Sequence, residues 1–188
     1  MAGGRARRFA GQDKSRLVVE GRTIIVRQVE ILQRVARPVF VVGGDPGRFT
    51  DLALPVHPDA VADAGAIGGI YTALTIDGPD AVLVVACDMP FLDAGLLRRL
   101  VEMSDGHDGA WVRADRGVEP LLACYRRRAA PLIRRAIDAA HLKATNLAGV
   151  LRMAEMSVDQ VAAYGSPARL LANLNSPADF ARVQYGGS

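Results

Sequence analysis

Six consecutive apolar residues, Ala81-Val82-Leu83-Val84-Val85-Ala86, constrain this chain more than any other stretch. A run of β-formers with no polar alternation has no face to offer to water, so it reads as a strand buried on both sides. Parallel sheets covered by helices provide that environment. Val39-Phe40-Val41-Val42 is a second such run, ending in Gly43-Gly44-Asp45-Pro46-Gly47. Around these runs the apolar period becomes helical. Ile25, Val29, Leu32 and Ala36 recur at helical spacing over 23–37, with Thr23 as the expected N-cap and Pro38 as the stop. Further helices are expected from Ala64 through Leu74, over about 93–103 behind an Asp93 N-cap, and over 127–141. Shorter strands are expected at 17–19, 54–57, 110–112, 121–125, 153–157 and 170–174, and a terminal helix from Ser176 to about Gln184. This alternation predicts a three-layer α/β/α domain with a mostly parallel sheet, one domain over the 188 residues.

Half of the residues are hydrophobic, enough for a sizeable core, yet no stretch is long and charge-free enough to span a bilayer. With no charged-then-apolar leader in view, the expected location is the cytoplasm, without a membrane partner. Cys87 and Cys124 both sit in apolar runs and read as reduced core residues. The net charge of +3 comes almost wholly from arginine, since Lys14 and Lys143 are the only lysines. No basic stripe alternates with aromatics, so a nucleic-acid partner is not expected.

The residues that carry chemistry fall at strand ends and in the first fourteen positions. Gly3, Gly4 and Gly11 stand there among Arg5, Arg7, Arg8 and Lys14. Glycines let backbone N–H groups approach a ligand, and cationic side chains around such a nest complete a cradle for phosphates. A solvated basic terminus has the same composition. Asp88 decides between the two. It follows the buried strand directly and is pinned by Pro90, which sets it at the carboxyl edge of the sheet, where open α/β sheets bind ligands. A carboxylate there suits Mg²⁺, a hard cation that takes carboxylate and phosphate oxygens. An isolated aspartate would more often cap a helix or close a turn. Lys14 can neutralise phosphate charge, and Arg7 and Arg8 can grip phosphate oxygens in pairs.

Ala2-Gly3-Gly4, Arg7-Arg8, Gly11 and Asp13-Lys14 resemble the signature loop of the molybdenum cofactor guanylyltransferases, nucleotidyltransferases with a Rossmann-like sheet. The resemblance continues through Cys87-Asp88-Met89-Pro90-Phe91-Leu92, Glu119-Pro120-Leu121 and Asn173-Leu174-Asn175-Ser176-Pro177. It implies transfer of GMP from GTP to molybdopterin-bound molybdenum, with Mg²⁺ as cofactor and Asp88 as its ligand. Lys14, Arg7 and Asp88 would be catalytic. Ala2, Gly3, Gly4, Arg8, Asp13, Lys14, Asp59, Gly65, Gly68, Gly69 and Asp88 would bind the nucleotide. Glu119, Asn173 and Asn175 would face the pterin, and transient contact with molybdoenzyme maturation proteins would follow. In the family a buried strand leads into the glycine loop, whereas this sequence begins inside it: either the start is trimmed or assigned too late, or the sheet lacks its first strand. Gly43-Gly44 also departs from the family, where asparagine or another side-chain donor often stands.

Other chemistries fit less well. His57, His107 and His141 lack metal-ligand spacing, and there is no nucleophile elbow, Walker lysine or GxGxxG. Two alternatives stay open: a cytidylyltransferase or related enzyme with another acceptor, and a nucleotide-binding accessory protein without turnover. Within the family, Ala2-Gly3-Gly4 with Asp13-Lys14 leans towards guanine.

Overall fold

The two apolar runs become strands of separate sheets in the computed structural model, which describes residues 13–176 and 178–181. Ala2, Gly3, Gly4, Arg7, Arg8 and Pro177, and with them the expected lack of a leading strand, lie outside the described residues. The chain opens with a 3₁₀ turn at Lys14–Arg16 and a small hairpin of β1 (Val18–Val19) and β2 (Arg22–Thr23). Glu20 and Gly21 take left-handed backbone there, at φ 50° and 78°, as a two-residue hairpin turn demands. Helix α1 (Ile24–Leu32) follows. It ends before the expected Arg37. Thr23 does stand at its N-cap position, but its hydroxyl makes no cap bond and is buried without a partner. Thr23 is also the last residue of β2, and its pairing with Val18 sets its orientation.

β3 (Val41–Val42) pairs in parallel with β4 (Val56–His57), and α2 (Gly65–Thr75) follows. The second sheet contains β5 (Ala81–Val85), β6 (Gly109–Ala114), β7 (Gly117–Arg126) and β8 (Met153–Ser157), in the order β5-β7-β6-β8. Helix α3 (Ala94–Met103) lies between β5 and β6 in sequence, and α4 (Ala130–Asp138) follows β7. Asp93 caps α3 as expected, its carboxylate accepting from the Leu96 N–H at 2.8 Å. β5, β6 and β8 run in one direction and β7 alone opposes them. The sheet is therefore mostly parallel in strand direction, although β7 makes antiparallel pairs with both β5 and β6.

Alternation along the strands builds two cores. Val82, Val84, Trp111, Ala123 and Tyr125 pack with buried residues of α2 and α4. Val85, Ala110, Val112, Leu122 and Cys124 pack with those of α3, and Ile31 and Leu32 of α1 join them. Helices thus cover both faces, which is the three-layer arrangement. Cys87 and Cys124 are free thiols, half-buried and buried respectively.

The end of the chain corrects one expectation. No strand forms at 170–174. After α5 (Val158–Val161), Pro167 opens the short helix α6 (Pro167–Leu170), and 172–175 follow as irregular chain. Proline at a first helical position outweighs a short, mostly apolar stretch. Ser176 does cap the next turn: its hydroxyl accepts from the Asp179 N–H at 3.2 Å, and Asp179 accepts from the Ser176 N–H at 2.9 Å.

Candidate active site

Asp13 and Lys14 join three parts of the chain. Asp13 begins the 3₁₀ turn, its carboxylate accepting from the N–H of Ser15 at 3.0 Å and its hydroxyl at 2.8 Å. Arg48, in the segment after β3, pairs with the same carboxylate at 2.5 Å. Burial works against the charged form of Asp13, but Arg48 and Ser15 together outweigh it and hold the pKa below the ordinary value. Arg16 anchors the other end of the turn, gripping Asp51 through two bonds of 2.6 Å. The Arg16 and Arg48 guanidiniums lie 5.6 and 5.5 Å from the centroid of the fully buried Phe49 ring. The turn and the segment after β3 are thereby locked together.

Lys14 points the other way. Its Nζ donates to Asn175 Oδ1 at 2.9 Å and lies 3.7 Å from Asp88 Oδ2. Asp88 follows β5, and its backbone carbonyl accepts from the Leu174 N–H at 2.9 Å, so the irregular 172–175 segment is stitched to the strand end. Asp88 and Lys14 are mostly buried, with side chains 18% and 20% exposed. Burial raises the Asp88 pKa, and the ammonium of Lys14 opposes this without cancelling it. Glu119 is raised too, first by burial and then by the negative charge of Asp88, with Arg116 acting against both. Glu119 therefore senses the charge of Asp88 across the site.

Glu119 reaches this place through a break in register. Trp111 pairs with Ala123 but the next residue, Val112, pairs with Glu119, so 120–122 bulge out of the β6–β7 ladder. The buried Tyr125 hydroxyl donates to the Pro120 carbonyl at 2.8 Å and braces the bulge. Such bulges re-aim side chains near functional sites. A cavity of about 1180 Å³ opens beside it, lined by Glu119, Asn173 and Asn175 together with Arg116, Arg169 and Phe91.

Thus the structure brings Asp13, Lys14, Asp88 and Asn175 into one connected set, with Glu119 and Asn173 on the adjoining cavity. Asn173 and Asn175 share that cavity without sharing a strand face. Asp59 is exposed in the segment after β4. Gly65 opens α2 at φ 60°, in the region glycine favours, and a Cβ there would meet nothing. At Gly68 a Cβ would stand 2.7 Å from that of Ala64, so packing of the helix start accounts for this glycine. Gly69 is buried in the same helix. Among the described residues, no hydrogen bond or ion pair joins these four to Asp88. Arg48 and Arg16 were not expected from the sequence, because each acts on a partner far along the chain. Among the described residues, no three His, Cys, Asp or Glu side chains group as a metal site would require.

Comparison with known proteins gives the family. The MobA-like NTP transferase domain family matches residues 1–161. A probable molybdenum cofactor guanylyltransferase of Pelotomaculum thermopropionicum is 33% identical over 184 residues, covering 98% of this chain and 89% of that protein. Another from Chloroflexus aggregans is 32% identical over 190 residues, covering 98% and 91%. The crystal structure of molybdopterin-guanine dinucleotide biosynthesis protein A from Archaeoglobus fulgidus superposes with a TM-score of 0.79 at 27% identity, covering 97% of this chain and 94% of that one. The strand order, the Asp13-Lys14 turn beside Asp88 and these matches lead to one conclusion: the chain belongs to the MobA-like NTP transferase domain family.

Proposed function

We propose that this protein, a single nucleotidyltransferase domain, transfers GMP from GTP to molybdopterin-bound molybdenum cofactor, releasing diphosphate. The observation that carries this reading is the junction of Lys14 and Asp88 with Asn175, which also lines the cavity. The likeness along nearly the whole chain to relatives named as guanylyltransferases supports the choice of nucleotide and acceptor.

A terminal phosphate oxygen of the pterin attacks the α-phosphorus of GTP. A new P–O bond forms there, the bond to the bridging oxygen breaks, and diphosphate leaves with the electron pair. No side chain needs to bond covalently to phosphorus, so the work is positioning and charge neutralisation. Lys14 brings a positive charge to the phosphates. Glu119, Asn173 and Asn175 form the acceptor side, with donors and acceptors suited to a polar heterocycle. Asp13 fixes the turn that carries Lys14, and Asp59, Gly65, Gly68, Gly69 and the glycine–arginine segment with Ala2, Gly3, Gly4, Arg7 and Arg8 form the nucleotide side.

The donor set fits a cation shared with substrate. Burial holds both Asp88 and Glu119 above their ordinary pKa, against the opposing charges of Lys14 on Asp88 and of Arg116 on Glu119. One carboxylate with no further ligand cluster suits Mg²⁺, which keeps water and phosphate oxygens as its other ligands. Asp88 would hold it, and the ion would offset charge on the nucleotide phosphates. Activity in the cytoplasm and transient contact with molybdoenzyme maturation proteins belong to the same proposal. Among the described residues no helix is long and apolar enough to cross a membrane.

The test is incubation of the protein with α-labelled GTP, Mg²⁺ and molybdate-loaded molybdopterin. Formation of the labelled dinucleotide with equal release of diphosphate is the expected result. Transfer from CTP in preference to GTP would move the assignment to a cytidylyltransferase, and tight nucleotide binding without transfer would point to an accessory role.

A further inference from the structure

Gln28 lies on α1, is 4% exposed and belongs to no part of the site described so far. Its Nε2 donates to the carbonyls of Ala86 at 2.7 Å and Met89 at 2.8 Å. These two acceptors bracket Cys87 and Asp88. Two more carbonyls are held from outside the loop: Asp88 O by the Leu174 N–H at 2.9 Å, and Pro90 O by Arg27 Nε, again on α1, at 3.2 Å. The backbone that presents the Asp88 carboxylate is therefore fixed on both sides.

The same helix is tied to Lys14. The Ile24 N–H at the start of α1 donates to Leu17 O at 3.0 Å, and the Leu17 N–H donates to Lys14 O at 3.1 Å. α1 thus runs as a rigid spacer from the turn that carries Lys14 to the loop that carries Asp88. A buried amide that merely satisfied two carbonyls would not need to sit on that spacer. We infer that Gln28 is a positioning residue that sets the Asp88 carboxylate relative to Lys14 for a cation shared with nucleotide phosphates. This inference rests on the metal-binding role proposed for Asp88.

The test reads metal binding and not turnover. Mn²⁺ is titrated into the full chain in the presence of GTP and followed by electron paramagnetic resonance, for wild type, Asp88→Asn, Gln28→Met and Gln28→Asn. Residues that orient a metal ligand typically change affinity by about 10- to 100-fold when replaced. Gln28→Met, which keeps the volume and loses both donors, should raise the Mn²⁺ Kd by at least about 10-fold. Gln28→Asn keeps an amide on a shorter stem and should fall between wild type and Gln28→Met; it carries the test if the methionine variant does not fold. Asp88→Asn should abolish the protein-dependent part of the Mn²⁺ signal change, the part beyond that given by GTP and Mn²⁺ alone. Loss of binding in Asp88→Asn with wild-type affinity in the folded Gln28 variants, whatever their melting temperature, would overturn the positioning role alone. Unchanged binding in Asp88→Asn would remove the metal role of Asp88 and the inference with it.

Discussion

Replacing Asp88 by asparagine separates what the site contributes to activity from what it costs in stability. In the folded chain the Asp88 pKa is raised by burial despite Lys14 at 3.7 Å. At an effective dielectric of about 20, that ion pair is worth roughly 4 kcal/mol. The remaining upward shift means that removing the carboxylate from water costs more than Lys14 returns. A carboxyl whose folded pKa lies above its unfolded value binds more protons folded than unfolded between the two values. Its contribution to stability is full below the ordinary carboxyl pKa and is lost as pH rises through the folded value. At neutral pH the ionised Asp88 is therefore a net cost. Asp88→Asn removes the charge at nearly constant shape, so its Tm at pH 7 should equal or exceed that of wild type, by about 2–4 °C for each kcal/mol recovered. Near pH 3 the difference should vanish. Guanylyl transfer should fall by at least about 100-fold, the scale of losing one preorganised charge contact. Calorimetry at both pH values with a diphosphate-release assay checks this. A Tm several degrees below wild type at pH 7 would show that the Lys14 pair outweighs burial and would refute the reasoning.

Lys14→Met removes the cation that opposes the upward shift of Asp88, so the acid limb of the pH–rate profile should move to higher pH; an unmoved limb would mean that Asp88 is not the group titrating there. Arg48→Ala releases the Asp13 carboxylate from its cation, so its pKa should rise in a carboxyl titration followed by NMR, and GTP affinity should fall by about 3- to 10-fold, the scale of the roughly 1 kcal/mol net worth of one hydrogen bond. Gly109→Ala should prevent stable folding, because a Cβ there would stand 2.3 Å from the backbone oxygen of Cys124, and soluble protein with a wild-type Tm would contradict that reading. Tyr125→Phe removes the buried bond to Pro120 and should cost about 1 kcal/mol, read as a Tm lower by about 2–4 °C.

Patterns with local causes were readable in the sequence. The continuous run before Cys87 could be satisfied only inside a covered sheet, and Asp93 capped α3 because its acceptor and donor are three residues apart. Asp88 followed from its place after that run, and Glu119, Asn173 and Asn175 from resemblance. Features with distant partners were not readable. Nothing beside Gln28 in the sequence announces carbonyls at Ala86 and Met89, and nothing beside Arg48 announces Asp13. Thr23 takes the expected N-cap position without the cap bond because two local preferences, strand pairing and helix capping, meet at one residue. The expected strand at 170–174 failed because Ser166-Pro167 is a helix-start signal that a short apolar run does not override. The bulge at 120–122 has a readable trace in Pro120, which cannot donate to a ladder, but its consequence for Glu119 depends on register across two strands.

The most direct measurement is the anomalous diffraction of crystals grown with Mn²⁺ and a non-hydrolysable GTP analogue. The expected result is one manganese peak within about 2.5 Å of an Asp88 carboxylate oxygen, bridging to the nucleotide phosphates, with Lys14 beside the same phosphates. A peak away from Asp88, or a nucleotide bound on another face of the chain, would contradict the assignment of this site.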